Sequence, residues 1–174
     1  MAPSPVFWRR ALLLTPPAAY LFASLFPFGR VDGRSMQPHL NPNTNQLTRD
    51  VVFVNYWKRP TDYQHGDVVN LIAPHNPHLL LTKRIIGLPG DLILPNPSTG
   101  SPMHGPSDPP HPIFIPKGHC WVEGDESFHS TDSNQFGPIP LGLVQGQVQY
   151  VVWPPANFGP VRSDIPPWKR KRVL

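Results

Sequence analysis

The chain has 174 residues, which suits one domain or two small subdomains, and 39% of them are hydrophobic, enough to build a core. Its 26 prolines, spread along the whole length, exclude a mostly helical fold, because proline breaks helix interiors; short strands joined by rigid turns are expected instead. The net charge of +4 is modest, no basic helix, zinc spacing or RNA-binding signature is visible, and a single cysteine, Cys120, excludes an internal disulfide and a multi-cysteine metal site.

Trp8, Arg9 and Arg10 precede an uncharged stretch from Ala11 to Phe28. Eighteen residues, about 27 Å as a helix, are just enough to span a bilayer. A membrane anchor over about 11–28, inside an N-terminal segment 1–28, is therefore expected. The Pro16-Pro17 pair is tolerated in a membrane helix better than in a soluble one. A cleaved targeting peptide and a buried apolar segment are the alternatives. Arg9 and Arg10 favour an N-terminus on the electronegative side, while Arg30 and Arg34 on the other flank oppose it.

Residues 29–49 are rich in glycine, proline and asparagine and read as bends; Ser35 lies among them. Strands are expected at 50–57, 66–73 and 79–88, with a turn at 74–78 between the last two. Alternation along the third strand puts Leu79, Leu81, Lys83, Ile85 and Gly87 on one face, so Lys83 stands between two apolar neighbours. Arg84 falls on the opposite face and reads as an ordinary exposed charge. A short strand follows at 92–94, then a proline-rich surface loop over 95–112 with no assigned chemistry. Residues 113–115 and 119–123 read as short strands, with Cys120 buried beside Trp121. A loop dense in hydrogen-bonding groups runs from Gly124 to Pro140, and the last strand covers 147–153. The tail reads as irregular, and its run Lys169-Arg170-Lys171-Arg172 as a solvated end, with anionic lipid or an acidic partner as the other reading. The expected division is a catalytic domain over 29–158 and a basic irregular tail over 159–174.

A serine needs a base to take its proton, and a lysine serves only when neutral. At an unperturbed pKa near 10.4, about one lysine in 2,500 is neutral at pH 7. Burial against apolar side chains lowers that pKa, and the Leu81/Lys83/Ile85 face offers such burial. The competing reading is a structural ion pair between Lys83 and Asp67 or Asp91. A Ser-His-Asp hydrolase is the second enzymatic possibility, with His129 beside Ser130 as its most suggestive histidine, but no Gly-x-Ser-x-Gly elbow surrounds Ser35. No His-Glu-x-x-His zinc motif occurs.

Ser35-Met36-Gln37-Pro38 resembles the serine box of the signal peptidase I family, and Lys83-Arg84-Ile85-Ile86-Gly87-Leu88-Pro89-Gly90-Asp91 resembles its lysine box. Gly124-Asp125, Ser130-Thr131-Asp132-Ser133 and Gly137-Pro138 resemble its C-terminal box. The boxes stand in family order after an apolar segment, and their short spacing is similar to the mitochondrial branch. The resemblance implies a mostly β fold, a signal-peptidase-like sheet or barrel, after one N-terminal transmembrane helix. It implies a serine endopeptidase with Ser35 as nucleophile, Lys83 as general base, Ser130 orienting Lys83 and Asp132 supporting the loop. It implies no cofactor and no metal. Substrates would be precursor proteins with hydrophobic sorting segments and small residues before the cleaved bond, bound in extended form. The partners implied are a homologous catalytic subunit in a hetero-oligomer and inner membrane lipid, without nucleic acid. The place implied is the mitochondrial inner membrane, single-pass, with the catalytic domain facing the intermembrane space. A mainly non-catalytic subunit that stabilises such a partner is the alternative. Three positions depart from the family pattern. Gly33, near the oxyanion hole, stands where many members have a serine. Asn134 stands where an arginine often pairs with Asp132, which leaves Arg84 as a substitute partner. Glu126 stands where asparagine is frequent.

Overall fold

The computed structural model describes residues 27–43, 48–96 and 111–174. The expected anchor, apart from its last two residues, and most of the proline-rich loop lie outside them.

Every strand pairs antiparallel. The strands are β1 (Phe28–Arg30), β2 (Val51–Asn55), β3 (Val68–Ala73), β4 (Asn76–Gly87), β5 (Leu92–Ile93), β6 (Ile113–Phe114), β7 (His119–Glu123), β8 (Ile139–Pro140), β9 (Val144–Trp153) and β10 (Gly159–Pro160). An eight-stranded sheet runs β1-β2-β9-β3-β4-β7-β8 with β10 beside β9, and β5 and β6 form a separate ribbon. The mostly β architecture expected from proline content is what the chain adopts.

Phe28 does not end a helix. It opens β1, opposite Phe53 of β2, with the two rings edge to face at 6.2 Å. Among the described residues, no helix is long and apolar enough to cross a membrane. The turn expected over 74–78 is tighter than expected: Asn76 and Pro77 already belong to β4. Proline is tolerated there because, among the described residues, β7 meets β4 only from Arg84 onward and leaves the first half of β4 with an open edge.

Alternation along β4 divides its side chains between two cores. Leu81 and Ile85 pack with Val69, Leu71, Cys120 and Val122, whereas Ile86 packs with Ile93, Ile115, Trp121 and Ile165. A third cluster joins Met36 and Leu40 of the Ser35 loop to Val52, Val54, Val68 and Val148 of the sheet.

The tail is not an irregular, solvated end. Gly159 and Pro160 extend the sheet beside β9, and Ile165 is buried in a core cluster. A helical turn follows at Pro167–Arg170. The Leu94 N–H donates to the Arg172 carbonyl and the Leu174 N–H to the Leu92 carbonyl, each at 2.9 Å. Lys169, read as a solvated charge, is 1% exposed. Burial of Ile165 and ion pairing of Lys169 tie down a segment whose composition alone looks free.

Candidate active site

Ser35 sits in a loop that two side chains close. Asn41 donates from Nδ2 to the carbonyls of Val31 (2.8 Å) and Gly33 (3.1 Å). It also exchanges two 2.7 Å bonds with Asp50, the Asn41 N–H donating to Asp50 Oδ2 and the Asp50 N–H to Asn41 Oδ1. Asn41 itself adopts φ 52°, a left-handed conformation that asparagine accepts more readily than most residues. Met36, 2% exposed, plugs the loop into the core, so its neighbour Ser35 stays half-buried at the surface of the sheet. Among the described residues nothing accepts a hydrogen bond from the Ser35 N–H, while the Ser35 carbonyl accepts from the Glu126 N–H at 3.0 Å.

Lys83 lies in the middle of β4, opposite Val69 of β3, and is 2% exposed. The two carboxylates that could have made it structural are engaged elsewhere: Asp67 with Lys58 at 2.6 Å and Asp91 with His65 at 2.7 Å. Lys83 Nζ instead donates to Ser130 Oγ at 3.0 Å. Burial is the main cause that brings the Lys83 amine down to about 8; Asp132 opposes it, Lys169 adds to it and Asp125 opposes it. Relative to an ordinary lysine, the lowering corresponds to about 3 kcal/mol between the charged and neutral forms.

Behind Lys83 the hydrogen bonds continue. Ser130 Oγ donates to Asp132 Oδ2 at 2.7 Å, and the same oxygen accepts the Gly124 N–H at 3.0 Å. Asp132 Oδ1 accepts from the Asn134 N–H at 3.0 Å and from Asn134 Nδ2 at 2.9 Å. Asp132 is thereby the cap of the helical turn Ser133–Phe136. Arg84 is not its partner: Asn134, the departure from the family pattern, satisfies Asp132 itself. Nor is Arg84 an exposed charge. It is fully buried and grips Asp125 in a two-pronged pair of 2.8 and 2.7 Å. Its remaining donor, Nη1, serves the carbonyls of Gly66 (2.8 Å) and Arg162 (2.6 Å).

Gly124 joins the serine loop to the lysine cluster. A Cβ on Gly124 would lie 2.3 Å from Ser130 Oγ and 2.5 Å from the Ser35 carbonyl. The structure thus brings Ser35, Lys83, Ser130 and Asp132 to one place, although among the described residues no hydrogen bond links Ser35 Oγ to Lys83 Nζ. Gly33 borders the loop with φ +87° and nothing within 4 Å of where a side chain would begin. His129 does not belong to the cluster; it is largely exposed and pairs with Glu126 at 2.5 Å. Burial pushes the Cys120 thiol up to about 12, which keeps it un-ionised and unreactive. Among the described residues, no group of three His, Cys, Asp or Glu could hold a metal ion.

A cleft of about 300 Å³ opens beside Ser35, walled by Phe28 and Arg30 of β1 and by Leu80, Leu81 and Thr82 of β4. Its walls are an end strand of the sheet and the half of β4 that, among the described residues, pairs with β3 alone. A second hollow of about 400 Å³ borders the same loop at Gln37 and Pro38, with Phe128 and Trp168 exposed on its wall.

Of the residues the sequence singles out, the structure brings Ser35, Lys83, Ser130 and Asp132 together; it adds Gly124, Asn41, Asp50 and Lys169, to which the sequence alone gives no role in the site. Gly124 was visible as part of a motif. The other three belong to no motif: Asn41 meets Asp50 only through the shape of the loop, and Lys169 meets Glu123 46 residues away.

A family model described as signal peptidase, peptidase S26, matches residues 7–96 and 94–153. The mitochondrial inner membrane protease subunit 2 of Mus musculus is 38% identical over 162 residues, covering 92% of this chain and 86% of the relative. The protein of the same name from Saccharomyces cerevisiae is 43% identical over 134 residues, covering 75% of this chain and 70% of the relative. A solved signal peptidase I from Enterococcus faecalis V583 aligns at 20% identity with a TM-score of 0.39, over 52% of this chain and 97% of that one, too loose a likeness to argue from.

Proposed function

This chain belongs to the signal peptidase family, peptidase S26, and its relatives are mitochondrial inner membrane protease subunits; from that premise we propose that it is a Ser/Lys endopeptidase of the mitochondrial inner membrane. Its substrates are precursor proteins, from which it removes hydrophobic sorting segments. The observation that carries the reading is Lys83: a buried amine with a serine hydroxyl, not a carboxylate, as its hydrogen-bond partner.

The chemistry follows from the protonation state. With a pKa of about 8, roughly one Lys83 in eleven is neutral at pH 7, about 230 times the fraction of an unshifted lysine. The Ser130 hydroxyl donates its hydrogen bond to Asp132, so its oxygen accepts one N–H from Lys83. That contact fixes the amine and leaves its lone pair for the Ser35 hydroxyl. Catalytic contacts are often loose before substrate binds, and the Ser35–Lys83 bond closes as the cleft fills. Ser35 Oγ attacks the carbonyl carbon while its proton passes to Lys83 Nζ. The tetrahedral intermediate then collapses, Lys83 returns the proton to the leaving amine, and an ester remains on Ser35. Neutral again, Lys83 takes a proton from water, whose hydroxide releases the acyl group. The Ser35 N–H, without an acceptor among the described residues, is one donor to the oxyanion. Gly33 offers no side chain for a second.

The cleft between β1 and the open edge of β4 suits an extended peptide, which adds main-chain hydrogen bonds to both strands. Small residues before the cleaved bond fit beside Leu81 and Thr82. The single membrane span belongs to the N-terminal segment, outside the described residues; the catalytic domain faces the intermembrane space, and a homologous catalytic subunit is the partner in a hetero-oligomer.

The test compares wild type, Ser35→Ala and Lys83→Met in cells lacking the endogenous copy, following precursor cleavage and partner level together. Uncleaved precursor with the partner retained supports the dyad. Normal cleavage by either variant refutes it and favours a stabilising, non-catalytic role. If the partner is lost, the purified complex is assayed instead.

A further inference from the structure

The Gly124 peptide is held from three sides. Asp132 takes its N–H at 3.0 Å, its α-carbon packs against Ser130 Oγ and the Ser35 carbonyl, and its carbonyl accepts a hydrogen bond from Lys169 Nζ. Lys169 comes from the helical turn of the C-terminal strap, 45 residues away along the chain. The same ammonium pairs with Glu123 Oε2 at 3.0 Å, where Arg172 also arrives at 2.5 Å. Lys169 and Glu123 are each 1% exposed. Burial alone would raise the Glu123 carboxyl, but Lys169, Arg172 and the Trp121 indole hold it below the ordinary carboxylate range. The Glu123 carboxylate is therefore ionised, and Lys169 is fixed beside a peptide that touches both the serine loop and Ser130.

Resting on the Ser/Lys reading above, we propose that Lys169 is a positioning residue for the active site. Its grip on the Gly124 carbonyl sets the distance between the Ser35 loop and the Lys83–Ser130 pair. The strap is thus part of the catalytic apparatus, although its sequence looks like a basic tail. Its charge acts in the same direction as its geometry. Burial is the main influence that disfavours the Lys83 ammonium, and Lys169 adds repulsion. Asp132 and Asp125 are the carboxylates that oppose them. Removing Lys169 both loosens Gly124 and makes Lys83 easier to protonate.

The experiment uses the full chain, purified in detergent with its partner subunit, and a peptide spanning a precursor cleavage site. Lys169→Met, Lys169→Arg and Arg172→Met are compared with wild type for kcat, KM and the pH midpoint of kcat/KM. Lys83 is titrated separately by NMR of ε-13C-labelled lysine, which needs no turnover. Lys169→Met is expected to lower kcat at pH 7 with KM nearly unchanged. Its midpoint and the Lys83 titration should both rise by about half a unit, which alone lowers the neutral fraction about threefold. Lys169→Arg should recover most of the loss. Arg172→Met, which removes a cation from Glu123 without touching Gly124, should leave the midpoint in place. An unchanged midpoint and Lys83 titration in folded Lys169→Met overturns the proposal, as does an equal effect from Arg172→Met. If Lys169→Met does not fold, Glu123→Gln/Lys169→Met removes both charges together, and the same two readouts decide. Activity that survives Ser35→Ala refutes the peptidase reading instead, and the Lys83 titration still tests Lys169.

Discussion

Gly124→Ala adds one methyl group at the junction of the serine loop and the lysine cluster. Gly124 does not adopt a positive φ, so the backbone accepts alanine and the effect is purely steric. The new Cβ would lie 2.3 Å from Ser130 Oγ, 2.7 Å from Ser130 Cβ and 2.5 Å from the Ser35 carbonyl oxygen. Ordinary contact at these atoms is about 3.4–4 Å, so relief requires a movement of about 1 Å. Ser130 can rotate away only by giving up its 2.7 Å bond to Asp132 or its 3.0 Å bond from Lys83. The Ser35 carbonyl can move only with its loop, and with it the 3.0 Å bond from the Glu126 N–H. Displacement of about 1 Å at a reacting centre costs on the order of a hundredfold in rate, while overpacking of this size costs only about 1–3 kcal/mol of stability. The assay is kcat/KM on a precursor peptide beside a denaturant titration of the same preparation. Gly142→Ala is the control, because nothing lies within 4 Å of its Cβ position. A folded Gly124→Ala protein that keeps activity within about twofold would show that Gly124 does not couple the two halves of the site.

The remaining predictions concern charge. With Lys83 at about 8, kcat/KM should rise about tenfold per pH unit below that value and level off above it; an acidic limb centred near pH 6 would identify a different base. The same shift has a stability counterpart. Between pH 8 and 10.5 the unfolded chain binds the Lys83 proton that the folded chain has lost, so stability rises with pH across this window. The advantage of Lys83→Met over wild type should therefore shrink by about 3 kcal/mol from pH 7 to pH 10.5, measured by denaturant titration at both. An unchanged difference would mean that Lys83 is not depressed. Arg84→Met removes the two-pronged partner of the buried Asp125 carboxylate, leaving it only His39 Nδ1 at 3.0 Å among the described residues, and strands two carbonyls; it should cost about 3–5 kcal/mol in the same titration. A loss under about 1 kcal/mol, the level of an exposed pair, would contradict the burial assigned to it.

Sequence alone determined the features that repeat along a short stretch of chain. Proline content excluded a mostly helical fold because the constraint acts on each residue separately. The apolar face around Lys83 was legible because side chains two apart on a strand share a face, and Leu81 and Ile85 do pack into one core. Cys120 was legible as a buried strand residue on the same ground. Charge was what the sequence could not place. Arg84 and Lys169 look like surface cations, yet both are buried, because Asp125 and Glu123, 41 and 46 residues away, meet them in the fold. Asp132 took Asn134 in place of the expected Arg84 because the amide stands two residues away, while the guanidinium is already held by Asp125. A charged side chain enters a protein interior only with a partner, and which partner is within reach is decided by tertiary structure.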